Sequence, residues 1–425
     1  MKNIPHEHTL DSSLAVITEG YHYMHKRMQE LNTDIYETRL LGEKAICMHG
    51  PDAAQLLYDN EFFWRKDVLP KRVQNTLMGK DGVQMLDDEQ HRHRKALFMS
   101  MMSRDRIQEL MDMLLRYWRA YALKWEKMER VNLFDEAQEV FCLAACEWAG
   151  VPLKPTEVRE HANEYVNMIY GFGGIAARYL RGVHARNKSE EWNSQIIEDI
   201  RSGKLQVPEY TAAYKFATYR DLNGELLSTR VAAVELMNIV RPIVAIATYV
   251  TYSALALHEH PEHLEKLRSG DDKFAQLFVQ EVRRFYPFTP FLGARTRKDF
   301  EWKGHQFEEG TLVLLDVYGM LHDPKLWPEP NEFKPERFKT WSGSPFDFIP
   351  QGGGDFDMGH RCAGEWVTIE AMKVALQFLT QEVQYNVPAQ DLTVNRNKMP
   401  TKPKSGFEID QVHFVGQPVA SGSEV

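Results

Sequence analysis

The feature that most constrains this chain is one cysteine in a glycine-rich loop just ahead of an apolar helical pattern: Phe346-Asp-Phe-Ile-Pro-Gln-Gly-Gly-Gly-Asp-Phe-Asp-Met-Gly-His-Arg-Cys362-Ala-Gly364-Glu. Glycine tolerates positive backbone φ and lets the main chain approach a flat ligand closely. The loop N–H groups and the N-terminus of the following helix stabilise an anionic sulfur. A lone cysteine is more often a small buried hydrophobe than a ligand. The weight of the metal-ligand reading therefore rests on what accompanies it.

Two further motifs do accompany it. Glu281-Val-Arg-Arg284 ends a helical pattern from about 274 to 285, so Glu281 and Arg284 share one face at i, i+3 spacing. About fifty residues later comes Phe333-Lys-Pro-Glu-Arg337-Phe, whose Arg337 can hold the same carboxylate from its other side. At a solvated surface such a pair contributes only ~0–1 kcal/mol.

In order and spacing, Glu-x-x-Arg, Pro-Glu-Arg-Phe and the Gly-rich cysteine loop resemble the cytochrome P-450 superfamily over most of the chain. The resemblance implies a mainly α fold with a small β-rich subregion, and haem b held between a long central helix and the helix after the cysteine loop. It makes Cys362 the thiolate ligand of the haem iron, whose electron push favours O–O cleavage. It gives Glu281, Arg284 and Arg337 the part of a triad that locks the segment beneath the haem, and places His360, His91 and Arg65 on the haem propionates. The sequence departs from the family pattern in two places. Four extra residues separate Gly352-Gly-Gly354 from Gly359-His360, and Lys95 stands where Arg is usual, four positions after His91.

A chain of 425 residues that is 43% hydrophobic can bury a large core and exceeds the usual single-domain size. The resemblance nevertheless implies one haem-thiolate catalytic domain over 1–425, with a frayed tail at about 418–425. The net charge of −9 argues against nucleic-acid or anionic-membrane partners. No apolar signal run opens the sequence, and no run reaches the ~18 consecutive apolar residues of a membrane span, so a soluble cytoplasmic protein is expected. Cys47, Cys142 and Cys146 are too few and irregular for a disulfide framework, and the last two share the apolar face of a helix. His258-Glu-His260-Pro-Glu-His263 fails the zinc pattern, which needs His where Glu262 stands.

Helical periodicity spans about 13–31, 51–58, 89–127, 133–150, 155–180, 184–202, 226–258, 272–286 and 363–382. β-prone pieces lie at 35–48, 291–314 and 383–415.

Oxygen-activating members of the superfamily carry an acid–threonine pair on the long central helix. Here that helix reads Ala233-Val-Glu-Leu-Met-Asn238-Ile-Val-Arg241-Pro242-Ile-Val-Ala-Ile. A mid-helix proline costs about 3 kcal/mol and is expected to open or kink the helix. Arg241 lies among Met237, Val240, Val244 and Ala245, with Glu235 on a different angular face, so either a distant carboxylate or a ligand must balance it.

Leu69-Pro-Lys-Arg72, Arg241-Pro242, Pro287-Phe288-x-Pro-Phe291 and Gln351-Gly-Gly-Gly together resemble the bacterial fatty-acid peroxygenase branch. That resemblance implies that Arg241 grips the carboxylate of a long-chain fatty acid and that the carboxylate itself serves as acid–base for hydrogen peroxide, with no obligatory redox partner. Hydroxylation at the α or β carbon is then the main outcome, and decarboxylation to a terminal alkene the minor one. Arg241, Pro242 and Gln84 take catalytic places, and Met78, Ile169 and Phe288 line the substrate pocket beside Arg241. Hydroxylating members tend to carry Gln at the position of Gln84, alkene-forming members His. The rival readings are a reductase-fed fatty-acid monooxygenase, whose acid–threonine pair is missing, and a haem-thiolate sensor without turnover.

Overall fold

Side-chain caps start several helices of this protein: Ser103, Asn132, Ser228 and Asp271 each accept the backbone N–H three residues on. The computed structural model describes residues 3–416, so the tail at 418–425 lies outside the described residues. The longer helices are α1 (Asp88–Met99), α2 (Arg104–Trp125), α3 (Leu133–Ala149), α4 (Val158–Gly171), α5 (Ala177–Arg201), α6 (Thr229–Glu259), α7 (Asp272–Phe285) and α8 (Glu365–Gln377). Their apolar faces meet in one core cluster that draws residues from Val83 to Val412.

A five-stranded sheet flanks the helices. Its strands are β1 (Ile35–Leu40), β2 (Glu43–Met48), β3 (Phe63–Trp64), β4 (Phe291–Thr296) and β5 (Leu312–Asp316), in the spatial order β1-β2-β5-β4-β3. Only the β2–β5 pair is parallel. A three-stranded sheet joins Arg130–Asn132, Glu408–Phe414 and Val383–Asn386, and a hairpin pairs Phe300–Trp302 with His305–Phe307. The mainly α fold with a small β-rich part is the one expected.

Three of the expected helices are broken; the 13–31 pattern divides at Gly20, whose φ of +59° separates Ser13–Glu19 from Tyr23–Leu31. The 89–127 pattern breaks between α1 and α2 because Ser103 caps a new start. The 155–180 pattern ends at Gly171, and α5 begins at Ala177 rather than at 184. Gly171 and Gly182 explain the turn-back: a Cβ built on Gly171 would lie 2.8 Å from the Cα of Gly182, so α4 and α5 cross where neither has a side chain. Arg72 fastens the connecting loop by donating to the Phe172 carbonyl at 2.9 Å and to that of Gly174. The helix Ala212–Thr218 and the strand Arg130–Asn132 had no sequence signal strong enough to be expected.

Helix α6 runs through the middle of the protein without interruption at Pro242. The expected opening is absent, because proline removes one amide donor and the turns on either side carry the helix across. Among the described residues α6 is also the one helix long and apolar enough to cross a membrane, and 83% of its most apolar window is buried inside the protein. Its apolarity is used by the core.

Candidate active site

Three segments bring the expected residues together: the cysteine loop ahead of α8, the 74–94 region, and the middle of α6. In the loop, the Cys362 amide donates to the Gln351 carbonyl at 3.1 Å, and the Gln351 side-chain amide lies 3.9 Å from the Cys362 sulfur. The four extra residues form a side turn. Asp355 accepts from the amides of Asp357 at 2.8 Å and Met358 at 3.0 Å, and its carbonyl accepts from Gly359 at 3.2 Å. The main loop therefore closes over the insertion: a Cβ on Gly352, whose φ is +94°, would sit 3.4 Å from the Cα of Arg361.

Burial pushes the Cys362 thiol up, Glu365 adds to the rise, and the Gly364 amide, Lys95 and Arg283 work against it. A thiolate there calls for a metal cation, which deprotonates a coordinating thiol outright. Beneath the loop, fully buried Arg283 donates to Glu365 at 2.7 Å and to the Gln351 side-chain carbonyl at 2.9 Å. Arg361 holds the other oxygen of Glu365 at 2.6 Å. Burial alone would raise Glu365, yet Arg283 and Arg361 keep it below its ordinary value. Sequence reading missed Arg283 and Glu365, and named Gln351 only as part of the loop motif. The consecutive arginines in Val282-Arg-Arg284 were the available signal.

The expected triad is formed. The Glu281 carboxylate, completely buried, receives Arg284 through two bonds of 2.8 Å and Arg337 Nε at 3.2 Å.

His91 and His360, from α1 and the cysteine loop, stack with ring centroids 3.8 Å apart. Burial pulls both below the usual imidazole range: His91 to about 3, with His360 and Lys95 adding to it, and His360 to about 4, with Asp87 opposing the burial and Arg65 adding to it. Arg65 is buried as well and uses one guanidinium group on the Leu57 carbonyl at 3.2 Å. Buried Lys95 donates to the Arg361 carbonyl at 2.5 Å, which ties α1 to the cysteine loop. One carboxylate, Asp87, serves this group, with Oδ1 3.8 Å from His360 Nε2. A thiol donor on one side and a surplus of imidazole and guanidinium donors beside it suit the iron and the propionates of haem b.

On α6, Arg241 is 3% exposed and has no carboxylate partner among the described residues. Its Nη1 donates to the Leu77 carbonyl, and Nη2 lies 3.8 Å from Met78 Sδ. Burial first, and the neighbouring Arg186 second, pull its guanidinium down to about 9. Glu235 is engaged elsewhere: it accepts Arg94 at 2.6 Å and Asn238 at 3.0 Å, and burial raises its carboxyl despite them. Pro242 is exposed between buried Arg241 and Ile243, so this face of α6 presents accessible surface. Asn238 also donates to the Gln84 side-chain carbonyl at 3.4 Å, and its own Oδ1 is buried without a partner. Asn238 was not singled out in the sequence, since an Asn on an apolar helix carries no signal of its partner. Ile169 is buried on α4, and the Phe288 ring stacks on Tyr249 at 4.7 Å while its carbonyl accepts from Tyr21 at 2.8 Å.

Known proteins resemble this chain in sequence and fold. The cytochrome P-450 family model matches residues 271–409. The structure of cytochrome P450EX alpha (CYP152N1) with myristic acid is 45% identical, covers 97% of this chain and 100% of its own, and superposes with a TM-score of 0.94. A structure of cytochrome P450SP alpha (CYP152B1) with (R)-ibuprophen is 42% identical over 96% of this chain and 100% of its own, with a TM-score of 0.93. OleT, in a variant bound to arachidonic acid, is 38% identical over 98% of this chain and 100% of its own, with a TM-score of 0.94. Among curated sequences, guinea-pig (Cavia porcellus) cytochrome P-450 3A15 is 30% identical over 150 residues, 31% of this chain and 29% of that protein. The chain thus aligns with about a third of the length of such relatives.

Proposed function

This chain belongs to the cytochrome P-450 family, and from that premise we infer that it is a haem-thiolate peroxygenase that hydroxylates long-chain fatty acids at the α or β carbon, with hydrogen peroxide as oxidant. The observation that carries the reading is Arg241: a buried guanidinium in mid-helix, beside accessible Pro242, with backbone and sulfur contacts in place of a carboxylate partner. Two related structures hold a fatty acid, myristic acid in one and arachidonic acid in the other.

Cys362 would hold the iron of haem b, with His360, His91 and Arg65 placed for its propionates, and the bound group would supply the oxidising chemistry with peroxide. The protein's residues supply position and proton control. The planar fork of Arg241 matches a carboxylate with two parallel N–H···O bonds. Among the described residues near that fork no side chain is ready to trade a proton: Arg241 is a cation, Pro242 has no polar side chain, Gln84 is an amide, Glu235 is taken by Arg94 and Asn238, and burial pushes the Tyr165 phenol well up. The oxygens of the substrate carboxylate therefore take the peroxide proton and return it, work that contributes typically ~10²–10⁴-fold. A carboxylate fixed on Arg241 leaves only its own first carbons beside the oxidant, which sets the α/β position. Pro242, Met78, Ile169 and Phe288 form the walls that orient the chain, and Arg284 and Arg337 on Glu281 hold the segment under the cysteine loop.

The deciding experiment incubates the purified haem-loaded protein with peroxide and tetradecanoic acid, with no reductant, and identifies products by mass spectrometry. Hydroxytetradecanoic acids are expected. Turnover that appears only with a reductase and a nicotinamide cofactor would reverse the reading in favour of a monooxygenase.

Gln84 is assigned control of the product. Its amide cannot shuttle a proton near neutral pH, whereas histidine titrates there and assists the loss of carbon dioxide. Wild type should give mainly hydroxy acids, and Gln84→His a larger alkene share by gas chromatography. An unchanged product ratio would shift control to pocket shape. We propose too that residues 1–425 form one catalytic domain acting in the cytoplasm without a redox partner. The core cluster drawing residues from Val83 to Val412 supports the single domain.

A further inference from the structure

Arg186, on α5, is 2% exposed and was not singled out in the sequence, where 184–202 shows only helical periodicity. It reaches inward one turn beyond Gly182, at the point where the Gly171–Gly182 crossing brings α5 down over the 74–78 segment, a Cβ on Gly182 lying 3.2 Å from Thr76 Cγ2. Arg186 Nη1 donates to the Leu77 carbonyl at 3.1 Å, the same oxygen that Arg241 uses. A carbonyl has two lone pairs and can take both donors. Arg186 Nε is held by Glu190 at 3.1 Å, and Nη2 is buried without a partner. Gly79, at φ +79°, leaves the room for it, since a Cβ there would collide with Nη2. Two buried cations thus converge on one neutral oxygen.

We propose that Arg186 is a positioning residue of the carboxylate site: it keeps the Leu77 carbonyl bonded when Arg241 turns to the fatty acid, and adds its positive charge to the field that holds the carboxylate. The inference rests on the reading of Arg241 given above. Leaving a buried carbonyl unbonded costs ~1–3 kcal/mol, which would oppose the movement of Arg241 if Arg186 were not there. The charges around the pair are few. Arg186 faces Glu190 on its own helix, Tyr165 from α4 and Arg230 from α6, while Arg241 faces Arg186, Tyr165 and Glu235. Glu235 is engaged by Arg94, so Glu190, whose side chain is 23% exposed, is the acid that tempers the pair.

The roles give substitutions of opposite sign. Arg186→Gln removes a cation, so the preference for tetradecanoic acid over tetradecan-1-ol should fall about tenfold, as the loss of one screened charge implies. A carboxylate with one fewer cation beside it has a higher pKa, so the acid limb of the binding profile should move to higher pH. Glu190→Gln frees the charge of Arg186 and should move both quantities the other way. This second variant lies near the surface and decides the matter even if Arg186→Gln does not fold.

The test measures dissociation constants of acid and alcohol by calorimetry across pH for haem-loaded wild type, both variants and Arg241→Ala. An acid preference that is lost in Arg241→Ala but unmoved in the other two would overturn the role of Arg186 alone. Equal weakening of acid and alcohol in Arg186→Gln, with no pH shift and no change in Glu190→Gln, would make it a packing residue. A wild type without preference for the acid would overturn the reading of Arg241 and this inference with it.

Discussion

Arg241→Ala is expected to abolish peroxide-driven oxidation of fatty acids while the protein stays folded and keeps its haem. The guanidinium is buried, without a carboxylate, and pulled down to about 9 by burial and by Arg186, so the fold gains little from it. Removing an unpaired buried charge relieves desolvation, and thermal stability should hold or rise. Function loses twice. A charge-assisted hydrogen bond to the carboxylate contributes ~1.5–3 kcal/mol of binding. The acid–base work of that carboxylate, ~10²–10⁴-fold, is lost with its anchor. Turnover, melting temperature and the haem spectrum measured together separate these effects. In wild type a short carboxylic acid should occupy Arg241 without filling the pocket and permit oxidation of styrene, and Arg241→Ala should not respond to it. Near-normal fatty-acid turnover in the variant would show that Arg241 is structural.

What could be read in the sequence follows from the range of the interaction concerned. Glu281, Arg284 and Cys362 sit in short motifs whose spacing is itself the geometry, and the triad and the cysteine loop formed as expected. Helix α3 was legible because Asn132 caps it and Gly150 ends it in a left-handed conformation. The α4–α5 break was not. Phe172-Gly-Gly-Ile-Ala keeps an apolar rhythm, and the reason for the turn is a crossing of two glycines that lie 11 residues apart.

Long-range polar pairs were hidden for a related reason. Arg283 finds Glu365 82 positions away and Asn238 finds Gln84 across 154, and no periodicity encodes such partners. The four-residue insertion near Cys362 looked like a disturbance of the loop. Its Asp355 turn is self-contained, so the residues around the sulfur keep their places. Arg241 stands between these cases: its lack of a nearby acid was visible along the helix, while its contact with Leu77 and its neighbour Arg186 required the fold.

Glu281→Ala is expected to produce the largest loss of stability of any single change at the site. Its carboxylate is wholly buried and accepts Arg284 Nε and Nη2 at 2.8 Å, Arg337 Nε at 3.2 Å and the Lys334 amide at 2.8 Å. The two guanidiniums it anchors fan out to main-chain carbonyls. Arg284 holds those of Leu321, Pro330 and Glu332 at 2.8, 3.0 and 3.3 Å. Arg337 holds those of Pro328, Glu329 and Glu332 at 2.7, 3.1 and 2.9 Å. Without the carboxylate, Arg284 is left fully buried with an uncompensated charge, a loss of ~3–5 kcal/mol. For a protein of this size that is a fall in melting temperature of roughly 3–6 °C. The damage should reach the cysteine loop, because α7 also carries Arg283, whose bonds to Gln351 and Glu365 brace that loop from below. Haem occupancy should therefore fall with stability, and the carbon-monoxide spectrum of the reduced protein should lose its red-shifted thiolate band. Glu281→Gln keeps the shape and some hydrogen bonds but not the charge, and should lie between the two. A Glu281→Ala protein that melts with wild type and retains its haem would mean that the backbone carbonyls alone hold the arginines, and the triad would lose its structural role.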